Sequence, residues 1–201
     1  RKKMNKKAYK INVENLVYAP VISDGPEGTE YGEIKKLSEA MQIQLTPNVA
    51  TGQLYGDGVV QSSTSKLTSI TAVVDVTKVP IDVKAEILGH KYENGKLVTS
   101  GKDLPPYVAV GYRVPQDVDG IAELVWLLKG KAQPFATTVT QATDNINYST
   151  DSLTIDFIQR ESDGALKVEA DMANSEFVEG TEKTWFDSVP TDLVSNGEIE
   201  S

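Results

Sequence analysis

Apolar and polar positions alternate along most of this chain, most clearly on either side of residues 47–66. Ile43 and Leu45 face one way while Gln42, Gln44 and Thr46 face the other. That period of two marks a half-buried strand. Ile70, Ala72, Val74 and Val76 repeat it. Residues 47–66 show no such period and hold glycines at 52, 56 and 58. They read as a projecting loop, far longer than a hairpin connection of about two to five residues. Leu54, Tyr55, Val59 and Val60 sit in it, and apolar side chains on a polar loop need a partner surface. A short helix over about 79–88 is predicted next. Pro80 suits a first turn, Val79, Val83 and Ile87 fall one turn apart, and Gly89 stands where a left-handed cap is required.

The same reading yields further strands. Residues 11–18 alternate and form the first; residues 20–32 are rich in Pro, Gly and Asp and read as a loop. A short strand or turn is expected within 34–40. Residues 91–93 and 96–99 flank Asn94–Gly95, the strongest local hairpin signal. Residues 108–114, 152–158 and 166–172 alternate, while 121–128 is nearly continuously apolar and so is expected to be covered on both faces. About eight short strands and one helix predict a β-sandwich or barrel. The expected organisation is a basic arm at 1–10, a β-domain at 11–173, and an acidic arm at 174–201 bearing Trp185 and Phe186. Those two aromatics either fold back on their own core or anchor in a neighbour's pocket.

Composition narrows the chemistry. With 201 residues the chain can bury one sizeable core, and it contains no cysteine. Thiolate metal sites and disulfides are thereby excluded. No apolar run is long enough to span a membrane, and the basic first residues lack the apolar segment of a secretory signal. The single histidine, His90, reads as a solvated helix-end residue. Residues 1–10 carry six Lys or Arg and no acid, whereas residues 161–201 carry a net charge of −9. The basic head lacks aromatic interleaving, so a solvated arm is the simpler reading. No phosphate-binding glycine loop or nucleophile elbow is present. Asp117 and Asp119 resemble a fragment of a calcium loop without its remaining ligands, and a polar turn explains them. Asp82 and Glu86 are expected to oppose the dipole of the short helix. No enzymatic activity, cofactor or bound metal is expected.

Taken together, INVENLVYA, QLYGDGVVQSSTSKLTSITAVVDV, VKAEILGHKYENGKL, YVAVGYRV with GIAELVWLLKGKAQPF, TQATDNINYSTDSLTIDFI and EKTWFDSV resemble the major tail protein, or tail tube protein, of long-tailed, non-contractile phages of Gram-positive bacteria. RKKMNKK is longer and more basic than that pattern. The resemblance implies a β-barrel or sandwich with one helix, and hexameric rings stacked into a tube. It implies a virion protein assembled in the host cytoplasm. A tape measure protein would lie inside the tube, distal tail and tail terminator proteins at its ends, and double-stranded DNA would pass without sequence-specific binding. It further implies contacts between subunits through Leu54, Tyr55, Gly56, Asp57, Val59, Val60 and Gln61 of the loop and through Trp185 and Phe186 of the arm. Two other classes fit less of the chain. One is the tube of a contractile injection or secretion apparatus. The other is a carbohydrate-binding β-sandwich with Trp126, Trp185 or tyrosines as stacking platforms.

Overall fold

The computed structural model describes residues 7–56, 59–135 and 150–191, with the backbone alone at 54–56 and 59. The chain is mainly β. Its elements are β1 (Glu14–Gly25), β2 (Gly28–Tyr31), β3 (Lys35–Lys36), β4 (Ala40–Gly56), β5 (Val59–Val76), α1 (Ile81–Leu88), β6 (Lys91–Glu93), β7 (Lys96–Val98), β8 (Tyr107–Pro115), β9 (Ala122–Ala132), β10 (Asp151–Ile158), β11 (Lys167–Asp171) and α2 (Thr181–Thr184). One antiparallel sheet runs β2-β1-β8-β9-β10-β5-β4, with β3 on β1 and β11 on β9. β6 and β7 form a separate hairpin around Asn94–Gly95, where both turn residues take positive φ.

The sheet folds around its main core. Leu16 and Tyr18 of β1, Val108 and Val110 of β8, Leu127 of β9, Ile155 and Phe157 of β10, and Ile70 and Val74 of β5 belong to one buried cluster, which Ile87 and Leu88 of α1 join. Strands from opposite ends of the sheet thus share one interior. A register shift between Val108 and Val110, against β9, helps it bend, because a bulge increases local twist. β9 pairs with β8 along one edge, and its other edge is divided between β11 and β10.

β9 is buried on both faces, as its continuous apolar run predicts. Val125 and Leu127 enter the main core. Trp126 and Leu128 enter a second cluster with Val17, Ala19, Ala109 and Val189. Gly111 is the register partner of Trp126, and a Cβ there would stand 2.8 Å from the indole. Only a glycine leaves room for that ring.

Three expectations need correction. Residues 47–56 and 59–66 are not a loop: β4 and β5 stay paired from Ala40 opposite Val76 to Gly56 opposite Val59. Residues 20–32 are not a loop either, since β1 continues through Pro20 to Gly25 and turns into β2. Pro20 has no N–H to donate, and its carbonyl accepts from Gly32 N–H at 2.8 Å. Helix α1 is shorter than expected, beginning at Ile81 with Pro80 before it, and it ends at Gly89 with φ 68° as predicted.

Candidate functional site

The β4–β5 hairpin is the most prominent surface feature. β10 accompanies β5 only from Val76 to Ser69. Beyond that line, among the described residues, Val49–Gly56 and Val59–Leu67 pair only with each other. At about 3.3 Å per residue, eight residues project roughly 25 Å. Residues 46–53 and 60–68 are exposed on both faces. Leu54, Tyr55 and Gly56 end β4, and Val59, Val60 and Gln61 begin β5. Val60 is exposed. Asp57 lies outside the described residues.

At its base the hairpin joins a polar sheet face. Leu153, Ile155 and Phe157 point into the core, so Thr154 and Asp156 point out. The Asn48 amide donates to Ser69 Oγ at 3.0 Å and Thr71 Oγ1 at 3.1 Å. Thr71 donates in turn to Asp156 Oδ1 at 2.6 Å, and Gln133 donates to Asp156 Oδ2 at 2.7 Å. This ladder ties β4, β5, β10 and the end of β9 together across a surface of short side chains.

Trp185 and Phe186 pack, half-buried, against their own domain, in keeping with the first of the two alternatives left open by the sequence. The Phe186 ring lies 5.9 Å from that of Trp126, and the Trp126 indole N–H donates to Trp185 O at 2.9 Å. Covering the apolar outer face of β9 is reason enough for these aromatics. Arg160, 2% exposed, secures the same arm by donating to Pro190 O at 2.8 Å and Tyr31 Oη at 3.1 Å, with Asp163 as its ion partner. Next to it Asp24 accepts from Lys129 at 2.5 Å, Thr29 at 2.6 Å and Glu161 N–H at 2.9 Å. Burial alone would raise the Asp24 pKa; these three bonds outweigh it and hold the carboxyl below its ordinary value. Sequence reading missed this cluster because its members are remote along the chain.

Other candidates resolve into structural roles. His90 is not solvated: its Nδ1 lies 2.7 Å from Asp103 Oδ2, tying the turn before β8 to the end of α1. Glu86 sits in the last turn of α1, not the first. It accepts from Tyr18 at 2.7 Å and Lys35 at 2.8 Å. Burial, then this carboxylate, pushes the Tyr18 phenol well above its ordinary pKa. Asp117 caps the N-terminal segment by accepting from Tyr9 N–H at 2.7 Å. Trp126 is wholly buried and offers no stacking platform. Among the described residues no three His, Cys, Asp or Glu converge as metal ligands, and no helix is long and apolar enough to cross a membrane. No protein-family model matches this chain, and no curated protein matches it either.

Proposed function

We propose that this chain is the major tail protein of a long-tailed, non-contractile phage. In this reading it is a structural subunit without enzymatic activity that polymerises as stacked hexameric rings into the tail tube. The β4–β5 hairpin is the observation that carries the reading. A two-stranded ribbon solvated on both faces is at best marginally stable alone. Among the described residues β4 is the last strand on its side of the sheet, and an edge strand is a template for pairing with another chain. A second copy of the chain satisfies both needs, and a closed set of copies leaves no edge over.

The polar ladder on β4, β5 and β10 supports a passage role, because its short side chains are already committed to one another. Charge supports it too. The chain carries a net charge of −9, and duplex DNA carries one negative charge per ~1.7 Å of axis. Like charges keep a polymer from adhering to the wall. DNA would therefore slide through without sequence-specific contacts. The tape measure protein would occupy the lumen before it, and distal tail and terminator proteins would close the ends. Electron microscopy and size-exclusion chromatography of the purified chain test this. Rings or tubes of constant diameter are expected, and a monomer at every concentration overturns it.

A further inference from the structure

The sheet is open along one line, and the hairpin has a shape that fits the opening. Between β4 and the segment 10–13 the sheet does not close. At one end Leu37 N–H donates to Leu16 O at 3.0 Å and holds the two sides together. Along β4 they part around a cleft of about 470 Å³, lined by Ile11, Val13, Met41, Ile43, Tyr112 and Val114. β4 has no strand partner on this side among the described residues. Val13, Ile43 and Val114 pack on the main core and stay only partly buried. Ile11 is 66% exposed and Met41 57%. Lys10 and Asn12 line the same cleft, so its wall is part polar and part apolar. A cleft beside a strand edge with side-chain pockets is the geometry that accepts an added strand.

We infer, resting on the tube reading above, that this cleft receives the β4–β5 hairpin of a second copy of the chain. Three features select that occupant. The hairpin sequence is sparsely charged: Asp57 and Lys66 are the two charged residues within 46–68, and they sum to zero, so little charge has to leave water on the hairpin's side. Val49 and Leu67 are cross-strand partners and both exposed, which puts an apolar pair on one face to meet Met41 and Ile43. Residues 46–53 and 60–68 are all exposed, and a set of that length approaches the ~20–30 residues a side of a stable interface. The cleft uses β4 before Pro47 and the hairpin uses β4 after it. Each copy can therefore give and receive at once. Such a head-to-tail contact propagates from copy to copy and closes only as a ring.

Because the chain has no cysteine, introduced thiols report the contact directly. Met41→Cys and Val49→Cys are prepared separately, mixed, assembled and oxidised. A disulfide-linked dimer is expected in the mixture, at least tenfold above either variant alone. It should also stand tenfold above a control mixture of Val49→Cys with Val98→Cys, an exposed position on β7. Normal assembly with cross-linking at the control level overturns this docking and leaves the tube reading standing. Failure of the parent chain to assemble overturns both. Independently, Met41→Lys places a charge at the mouth of the cleft. The variant is expected to keep the parent's melting temperature and lose assembly. Assembly equal to the parent's overturns the docking.

Discussion

At Gly89 the chain leaves α1 in the left-handed region, and a Cβ there would stand 2.4 Å from the Leu104 carbonyl oxygen. The conformation costs a non-glycine residue about 1–2 kcal/mol, and the obstacle is backbone that cannot swing away. Gly89→Ala is expected to lower unfolding free energy by about 2 kcal/mol or more, read from urea denaturation. That glycine was legible, because a helix stop has a local signature. The pairing of Asp24 with Lys129 was not, since 105 positions separate them. Its consequence is a pH dependence. A carboxyl whose folded pKa lies below its unfolded value contributes stability above the unfolded pKa, about 3.9 for Asp. That contribution is lost as pH falls through the lower folded value. Asp163, lowered by Arg160 against the opposing effect of burial, acts in the same direction. Asp24→Asn should therefore flatten the acid limb of a melting-temperature profile below about pH 4 and lower stability at pH 7.

Among the elements, the hairpin shows why part of the fold was hidden. A period of two arises when one face of a strand is buried and the other is wet. Residues 46–53 of β4 and 60–68 of β5 are wet on both faces, so no alternation is imposed and the segment reads as loop. β1 beyond Pro20 escaped for a related reason, since turn-forming residues there occupy a sheet margin. β9 and the β6–β7 hairpin were legible because burial on both faces and an Asn-Gly turn each leave an unmistakable composition. Of the residues expected at subunit contacts, those of the hairpin are the ones whose replacement is expected to leave the subunit's own core untouched. Replacing Leu54, Tyr55, Val59 and Val60 together with Ser should leave the circular-dichroism spectrum and nearly the melting temperature unchanged while abolishing tubes. Truncating an anchor at an interface commonly costs ~2 kcal/mol or more, and a ring repeats that loss at every contact. Polymerisation equal to the parent's would exclude the hairpin from assembly.

For the molecule as a whole, a mainly β domain was legible from the number and spacing of short alternating runs. Its closure around a single interior was not, because that depends on pairings such as Phe157 with Ile70 that no local window contains. Global charge makes a prediction of its own. Copies bearing −9 each repel at low ionic strength, and salt shortens the reach of that repulsion from ~30 Å at 0.01 M to ~8 Å at 0.15 M. Light scattering should show faster assembly across that range. Slower assembly would mean that ion pairs between copies dominate. The pairing of β5 with β10 also bears on how the chain is made. Val76 meets Asp151, and Ser69 meets Ile158, so the partner of β5 leaves the ribosome roughly 80 residues later. At about 5–20 residues per second that delay is on the order of 4–16 s. Throughout it β5 has β4 on one side and nothing fixed on the other. A polysome carries many nascent chains in that condition side by side, each presenting the strand on which a neighbour could misregister.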